Sequence, residues 1–580
     1  MAVLFGNGGP ELRPSYPAGV ICALVDAFAL GLDFGTGSVR AVVAAAADGR
    51  VLGTAVAAFP TGEGGVITRA GEPHLARQAP TDHLACLERC ALKALGEAER
   101  ADRRFQREQI AGIGVDTTGS TPLPLDDSLR PLGMDPAFRD EPAAMAWLWK
   151  DHTAAAEARE ISQAIRDAGL PYLTRCGGAY SSEWFWSKML RAARTAPAVV
   201  AAAAGWLEMA DWIPAELCGV DDFAAVRIGV CGAGHKGLYN PEWGGWPERR
   251  LLESLHPRLA AWRDQLPAEA GPAGQAAGVL APSWQQRLGL RAVPVSVGAL
   301  DAHLGALGSG VRPGCLVKIL GTSTCDITVS GDTPAPTDIP GVSGAVHGSV
   351  LPGRIGVEAG QSAVGDLFAW WSRLLGGADL VALGDQAAAL APGQSGLLAL
   401  DWNNGNRNVL ADQELSGLLV GQTLGTTAAE VHRALVEATA FGARVILERL
   451  EQYGVPVDEV VASGGIARRS ELLLQIYADV FGRPITVAAS SEACALGAAI
   501  CGAAAAGLGS VEELAARMVP PPTRRFEPRP AATAVYDRLY RLYLELHDHF
   551  GGVAATADLS RTMKALLAIR RAAASTSPTR

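Results

Sequence analysis

A short polar turn near the start of the chain, in GLDFGTGSVR at residues 31–40, has the residue types of a phosphate-binding loop. Small residues expose backbone N–H groups, which can hold an anion. Asp33 ends the preceding strand, where its carboxylate could bind Mg²⁺ directly or through water, and Arg40 could reach a phosphoryl group. A plain hairpin turn remains the alternative. The turn residues are Gly35, Thr36, Gly37 and Ser38.

A second turn of the same design lies in CLVKILGTSTCDITVS, residues 315–330. Both copies read as an apolar strand, a Gly-Thr turn with hydroxyls, and another strand, and their first glycines are 286 positions apart. This repeat predicts a duplicated fold with two facing phosphate loops. The chain has no G-x-x-x-x-G-K-[ST] motif and no G-x-G-x-x-G that opens a helix after a strand, so phosphate needs a different device. The second turn contains Gly321, Thr322 and Ser323.

Three further sites combine polar or bare backbone positions with space for a ligand. Asp301, in GALDAH, follows a strand and opens a Gly/Ala-rich helix, so its carboxylate is displayed where open α/β sheets build sites. A helix N-cap is the alternative for Asp301, and a surface lysine is the alternative for Lys236 in CGAGHK. Gly464 and Gly465 separate a strand from a helix and leave bare backbone for a nucleoside.

Length and charge limit the class of protein. A chain of 580 residues is too long for one core and predicts two large domains. The formal net charge of −10 argues against a nucleic-acid or anionic-membrane partner, which would need a basic face. The ten cysteines include no C-x-x-C pair, and the apolar run near the N-terminus is broken by an acid. These features favour a reducing cytoplasm and no membrane segment.

The elements that must position these residues alternate as in an α/β protein. Strand patterns open each half, and a capping box formed by Thr427 and Glu430 predicts a long helix to about Tyr453. The region 143–219 is predicted to be mainly helical, and it is rich in tryptophans that we expect to pack mostly in its core. We predict an N-terminal extension at residues 1–27, domains at 28–294 and 295–551, and a flexible tail at 552–580.

Six stretches, in chain order, resemble the FGGY family of carbohydrate kinases: GLDFGTGSVRAVV, GVDTTGSTPL, GALDAHLGALG, LVKILGTSTCDI, SGLLVGQTLGTTAAEVHRALVEATAFG and ASGGIARRSELLLQIYADVFGRPI. The resemblance covers about residues 28–551. It implies an α/β fold of two duplicated ribonuclease H-like (actin-like) domains flanking a deep cleft, as in the sugar kinase, actin and heat-shock chaperone superfamily. It also implies ATP and Mg²⁺ as cofactors, with ATP on the second domain and the sugar mainly on the first.

The resemblance also implies a role for each candidate residue. Asp301 is expected to be the general base that takes the proton from the attacking sugar hydroxyl. Lys236 and Glu358 are expected to hydrogen-bond the sugar, and Gln361 is a further candidate for the same role. The loop of Thr118, Gly119 and Ser120 is expected to line the same pocket. The two Gly-Thr turns would bind the phosphates and the Gly464–Gly465 pair would lie against adenosine.

Within the family, five stretches resemble the L-ribulokinase branch: AMAWLWKDHT, CGGAYSSEWFWSKML, CGAGHKGLY, GVEAGQSAVGDLFAWW and LALDWNNGNRNVL. This implies transfer of the ATP γ-phosphate to the 5-hydroxyl of L-ribulose, in arabinose catabolism. D-ribulose, ribitol or another pentulose or pentitol remains an alternative substrate. A non-catalytic ATP clamp of the actin or chaperone type is the alternative from a different class, and a homodimer is one open possibility for the assembly.

Overall fold

The computed structural model describes residues 27–332, 338–554, 559 and 562–576. Nearly all of the predicted N-terminal extension, residues 1–26, lies outside the described residues. The strands of the first half are β1 (Phe28–Phe34), β2 (Ser38–Ala45), β3 (Val51–Ala58), β4 (Ile67–Arg69), β5 (Glu72–Gln78), β6 (Ile110–Thr117), β7 (Pro122–Leu125), β8 (Ala146–Trp147), β9 (Gly205–Glu208), β10 (Ile228–Gly229), β11 (Ala270–Gly271), β12 (Ala276–Val279), β13 (Pro294–Ser296) and β14 (Ala299–Leu300). Its helices are α1 (Pro80–Ala101), α2 (Ala155–Asp167), α3 (Phe185–Thr195), α4 (Pro197–Ala202), α5 (Met209–Cys218), α6 (Val230–Gly237), α7 (Arg249–Leu255), α8 (Pro257–Arg263), α9 (Pro282–Leu288) and α10 (Asp301–Leu307).

The second half repeats the opening strand–turn–strand design. Its strands are β15 (Gly314–Leu320), β16 (Thr324–Val329), β17 (Gly344–His347), β18 (Ile355–Ala359), β19 (Leu398–Leu400), β20 (Leu418–Val420), β21 (Val457–Ser463), β22 (Ile485–Val487) and β23 (Arg524–Phe526). Its helices are α11 (Gly365–Leu374), α12 (Leu380–Ala388), α13 (Ala428–Gln452), α14 (Gly465–Arg469), α15 (Glu471–Phe481), α16 (Ala493–Ala505), α17 (Val511–Met518), α18 (Pro530–Phe550) and α19 (Thr562–Thr576). The predicted capping box forms, because Thr427 and Glu430 bond each other's backbone N–H at the start of α13.

Two sheets of seven strands share the order and direction of their central strands. The first is ordered β12-β13-β6-β1-β2-β3, with β14 paired to β6, and the second is ordered β17-β18-β16-β15-β21-β22-β23. In each, the opening strand is antiparallel to its hairpin partner and parallel to a later strand, β6 or β21. The central strands are fully buried because both sheet faces are covered, as apolar runs such as FALGLDF predict. The predicted duplication is therefore confirmed.

A helix from the second half packs against the sheet of the first half. Small residues make this contact possible, since a Cβ on Gly31 would lie 1.9 Å from the Ala495 carbonyl oxygen of α16, and one on Gly114 would lie 1.7 Å from that of Ala498. Buried alanines of α16 join Leu304 of α10 in a core distinct from the cores of the two halves. The sequence EACALGAAICGAAA thus joins the halves by backbone-to-backbone packing.

Two boundaries differ from the sequence-based expectations. Strands β13 and β14 belong to the first sheet, so that sheet continues past the predicted boundary at residue 294, and the second sheet begins at Gly314. The composition of residues 552–580 predicts a flexible tail, but the structure has a helix at α19 because Leu566 and Ile569 are apolar and buried against the second core. Within the part of the chain that the structure describes, no helix has both the length and the apolar character to cross a membrane.

Candidate active site

Three carboxylates meet at one edge of the first sheet. Asp33 near the end of β1 and Asp116 near the end of β6 are direct partners across parallel strands. Strand β14 pairs with β6 at Asp116, and Asp301 follows β14 at once. Because parallel strands end at the same edge, three chain segments that are far apart in sequence deliver acids to one place. Asp116 stands in the GVDTTGSTPL motif, but its sequence context alone did not predict a role for it.

Burial and mutual repulsion make this acidic group difficult to ionise. Burial, and then the charge of Asp33, raise the pKa of Asp301 to about 7. Burial followed by the charges of Asp33 and Asp301 raises the pKa of Asp116 well above its ordinary range. Neither oxygen of Asp116 has a hydrogen-bond donor in the structure, although its side chain is fully buried. A cation or a shared proton is therefore required when the three carboxyls are close together.

Arg40 supplies one positive charge to this edge. Its Nη1 lies 3.2 Å from Oδ2 of Asp33, and its Nε lies 3.6 Å from Oε2 of Glu492, next to the start of α16. The pKa of Asp33 is nevertheless raised, because burial outweighs the attraction of Arg40. The predicted pair Asp33 and Arg40 is thus brought together, and Arg40 also contacts the second half of the molecule.

The first Gly-Thr turn is held from three sides. The Gly35 N–H donates to the Ser38 carbonyl at 2.9 Å, and the Gln78 amide donates to the Thr36 carbonyl at 2.8 Å. The indole N–H of Trp149 donates to the Thr36 hydroxyl at 3.0 Å. A Cβ on Gly37 would lie 2.6 Å from a carbonyl oxygen of Gly64, so the turn tolerates no side chain there. These contacts fix the turn before any ligand binds.

The second turn is built against two other glycine-containing segments. The carbonyl of Gly321 accepts the Gly365 N–H at 3.1 Å, where α11 begins. Gly464 has a φ of +91° and approaches the end of β15 so closely that a Cβ would lie 2.6 Å from the Leu320 carbonyl oxygen. The predicted nucleotide residues Gly321, Thr322, Ser323, Gly464 and Gly465 therefore lie together, and only glycine fits position 464.

The predicted sugar residues Lys236 and Glu358 form a buried ion pair. The Lys236 ammonium lies 2.7 and 2.9 Å from the two Glu358 oxygens. Burial opposes ionisation of both groups, but their mutual attraction prevails: the charge of Glu358 raises the pKa of Lys236, and the charge of Lys236 lowers that of Glu358. Lys236 ends α6 of the first half and Glu358 lies on β18 of the second, so the pair bridges the halves.

Two histidines beside this pair were not selected from the sequence. His235 Nδ1 and His303 Nε2 each lie 3.5 Å from Oε2 of Glu358. Burial keeps both rings neutral, since it lowers the pKa of His303 to about 4 and lowers that of His235 well below its ordinary value. These are metal-ligand residue types, but Lys236 already bonds both Glu358 oxygens, so a divalent cation would have to displace it. The sequence could have pointed to them, because His235 directly precedes Lys236 and His303 follows Asp301 by two residues.

The strand that follows the second turn lies close to both the three acids and the Lys236–Glu358 pair. Cys325 lies on this strand, β16, and burial followed by the charge of Glu358 raises the pKa of its thiol to about 12, with Asp301 contributing in the same direction.

Gln361, a sugar-binding candidate from its sequence context, donates to Asp401 at 2.7 Å and accepts from Lys318 at 3.1 Å. It is a buried link inside the second half.

The loop Thr118–Thr121 lies over a buried acid and a buried lysine. Glu208 accepts the Ser120 hydroxyl and, at 2.7 Å, the Thr121 N–H. The Lys188 ammonium donates to the Ser120 carbonyl at 2.8 Å. A Cβ on Gly119 would lie 2.2 Å from a methyl carbon of Leu300, the residue before Asp301. The loop therefore packs directly against the segment that carries Asp301.

A family model and several known proteins match most of this chain in sequence. The model of the FGGY family of carbohydrate kinases matches with its N-terminal domain at residues 28–308 and its C-terminal domain at residues 316–506. A ribulokinase of Vibrio parahaemolyticus is 36% identical over 550 residues, which cover 90% of this chain and 96% of the relative. A ribulokinase of Mycolicibacterium smegmatis is 38% identical over 548 residues, which cover 90% of this chain and 94% of the relative.

A solved structure gives the same result for the fold. The xylulose kinase of Rhodospirillum rubrum superposes with a TM-score of 0.72 at 25% identity, covering 90% of this chain and 99% of that chain. Duplicated sheets, paired Gly-Thr turns and matched family models over both halves lead to one conclusion. The chain belongs to the FGGY family of carbohydrate kinases, which transfer phosphate from ATP to a sugar.

Proposed function

We propose that the protein is a ribulokinase that transfers the γ-phosphoryl group of ATP to the 5-hydroxyl of L-ribulose, giving L-ribulose 5-phosphate and ADP. The main support is the set of relatives named ribulokinase, 36% to 38% identical along almost the whole chain. The buried Lys236–Glu358 pair beside Asp301 supports it chemically, because it offers a cation and an anion to hydroxyl and carbonyl groups. We place the reaction in the cytoplasm, where ATP is available.

In this proposal Asp301 is the general base. Its carboxylate takes the proton of the 5-hydroxyl as that oxygen attacks the γ-phosphorus and the bond to the leaving ADP oxygen breaks. A pKa of about 7 suits a base that must be ionised yet basic at neutral pH. Lys236, Glu358 and the loop Thr118–Ser120 hold the sugar. Arg40 and the backbone of the turns at Gly35–Ser38 and Gly321–Ser323 face the phosphates.

A magnesium ion fits the acidic edge of the first sheet. Carboxylate oxygens are the ligands that Mg²⁺ prefers, and Asp116 presents two buried oxygens without hydrogen-bond donors beside Asp33. Asp33, with Asp116, would hold the ion, which would neutralise charge on the phosphate oxygens. Asp116 thereby extends the metal assignment that the sequence analysis made for Asp33 alone.

A panel of sugars in a coupled ADP-release assay tests the substrate. We expect L-ribulose to give the highest kcat/KM, with D-ribulose, its mirror image, and ribitol, which lacks the carbonyl, as weaker substrates, because such changes of hydroxyl configuration or of one polar group change binding by only a few kcal/mol. A clear preference for xylulose or glycerol would overturn the proposed substrate. A measurable preference among the pentuloses and pentitols decides between the named alternatives.

The variant Asp301→Asn separates an enzyme from a non-catalytic ATP clamp. We expect it to lower kcat by about 10²–10⁴-fold and to leave ATP affinity within about twofold, since only the proton acceptor is lost. The matched control is Asp479→Asn, because Asp479 is also an aspartate in a charged contact, but it is fully buried and pairs with Arg529 in the second half instead of lying among the three acids. Unchanged sugar-dependent turnover in Asp301→Asn would remove that residue from the mechanism.

A further inference from the structure

Lys188 is a fully buried lysine that contacts backbone carbonyls instead of a carboxylate. Its ammonium donates to the carbonyl oxygens of Ser120 at 2.8 Å, Leu148 at 2.9 Å and Trp147 at 3.1 Å. These three bonds use all three donors of the ammonium. Burial lowers the pKa of Lys188 to about 7, so keeping the ammonium charged at this position costs desolvation free energy. Packing alone does not require a charged group at this position.

Glu208 completes the arrangement from the other side. It is buried, and its two oxygens accept from the Ser120 hydroxyl and the Thr121 N–H. Strand β9 places it there, because Glu208 pairs with Pro122 directly after the loop. Together, Lys188 and Glu208 bond the hydroxyl and the carbonyl of Ser120 and the following N–H.

The same two residues lie close to the ion pair assigned to the sugar. Burial raises the pKa of Glu208 overall. The hydrogen bond from Ser120 and the charges of Lys188 and Lys236 act in the opposite direction, which places both lysines near Glu208. Gly232 of α6 lies over Glu208, since a Cβ there would be 3.7 Å from the Glu208 Cγ. Helix α6 carries Lys236 at its end. Both the Thr118–Ser120 loop and the Lys236 helix therefore pack against Glu208.

We propose that Lys188 and Glu208 are positioning residues for the sugar. They hold the Thr118–Thr121 loop in one conformation against the segment of Asp301, so that the loop and Lys236 meet the sugar hydroxyls without rearrangement. This inference rests on the proposed function, because it takes that loop and Lys236 as the sugar site. Neither residue touches the sugar itself in this proposal. Their loss weakens sugar binding selectively, since the phosphate turn Gly35–Ser38 is held by Gln78 and Trp149 and the turn Gly321–Ser323 lies in the other half.

The test compares steady-state constants of Glu208→Gln and Lys188→Met with those of the wild type. We expect KM for L-ribulose to rise about tenfold or more, and KM for ATP to stay within about twofold. The matched control is Glu437→Gln, because Glu437 is equally buried and bonds Arg433 and Tyr536 in the second half. The control is expected to lower the unfolding temperature while leaving both KM values within about twofold.

Glu208→Asp provides a milder version of the same test, and it decides the matter if Lys188→Met does not fold. It shortens the side chain that accepts from the Ser120 hydroxyl and the Thr121 N–H without changing any charge, and we expect KM for the sugar to rise with KM for ATP unchanged. Equal rises in both KM values, or an unchanged sugar KM in Glu208→Gln and Glu208→Asp, would overturn the inference. If the wild type has no sugar-dependent turnover, the proposed function fails as well. If Lys236→Met raises the sugar KM but Glu208→Gln does not, the inference fails alone.

Discussion

At the scale of single residues, Asp301 has a local environment suited to proton transfer. Its carboxyl is half-buried, and one oxygen accepts the Ala302 N–H at 2.7 Å, which favours the ionised form. Burial and the charge of Asp33 act in the opposite direction and prevail, so the pKa rises to about 7. The residue is therefore poised between its acid and base forms at neutral pH, unlike an ordinary exposed aspartate.

This environment predicts a pH profile for catalysis. The base must be ionised to accept the hydroxyl proton, so kcat/KM for the sugar should rise with pH up to about 7 and then level off. Steady-state rates at low sugar concentration, measured between about pH 5 and pH 9, give the apparent pKa directly. A profile that is already flat at about pH 5 would show that Asp301 titrates as an ordinary aspartate and would contradict the predicted role.

The candidate residues that could be predicted from the sequence are those that stand in recognisable motifs. Asp33, Asp301, Lys236 and Glu358 were selected because each lies in a stretch with glycines, a strand end or a family pattern. Asp116, Lys188 and Glu208 were not, because their importance comes from neighbours that are distant in sequence. A buried lysine on a helix looks like a surface lysine until the loop that it holds is placed.

At the scale of elements, helix α10 depends on the glycines of α16. A Cβ on Gly497 would lie 1.9 Å from the carbonyl oxygen of Leu304, one turn after Asp301 on α10. Backbone cannot yield as a side chain can, so the two helices would have to separate. The stretch EACALGAAICGAAAAG is rich in small residues, but which backbone it approaches could be seen only in the folded chain.

This contact predicts that Gly497→Ala destabilises the protein by about 1–3 kcal/mol and lowers kcat by displacing Asp301. The matched control is Gly384→Ala on α12, where nothing lies within 4 Å of the added carbon. There, alanine should stabilise the helix by about 0.5–1 kcal/mol and leave kcat unchanged. Urea unfolding and steady-state rates of both variants provide the comparison. Equal stabilities would contradict the close packing of α16 on α10.

Most of the elements were predictable because their patterns are local. The alternation of strands and helices, the hairpins with Gly-Thr turns and the capping box of α13 all follow from neighbouring residues. The end of the first sheet was harder to predict, since β13 and β14 are short strands whose membership depends on pairing with β6. Helix α19 was not predicted because the segment after residue 552 turns basic and then Ser/Thr/Pro-rich, and the burial of its Leu566 and Ile569 against the second core depends on the folded chain.

At the scale of the whole molecule, ion pairs join the two halves beside the sugar residues. Besides Lys236–Glu358, Arg407 of the second half lies 3.3 Å from Glu183 of the first. The charge of Glu183 is the largest influence on Arg407 and raises its pKa. Any motion that opens the space between the halves at this point must break both pairs. A kinase must keep water from the γ-phosphate, and ion pairs between the halves favour the closed arrangement that excludes it.

We therefore predict that Arg407→Glu raises KM for the sugar, by up to about tenfold, because two like charges then face each other across the halves. The double variant Arg407→Glu with Glu183→Arg restores the attraction and should recover most of the loss, which a merely structural defect at Arg407 would not. The matched control is Arg194→Glu, whose partner Glu160 lies in the same half at 2.6 Å and is largely exposed. That variant should leave KM unchanged, since exposed pairs contribute about 0–1 kcal/mol and no motion separates this one.

Small-angle scattering with sugar and a non-hydrolysable ATP analogue should show less compaction for Arg407→Glu than for the wild type. A double variant as impaired as Arg407→Glu alone would show that Arg407 and Glu183 do not act on closure as a pair.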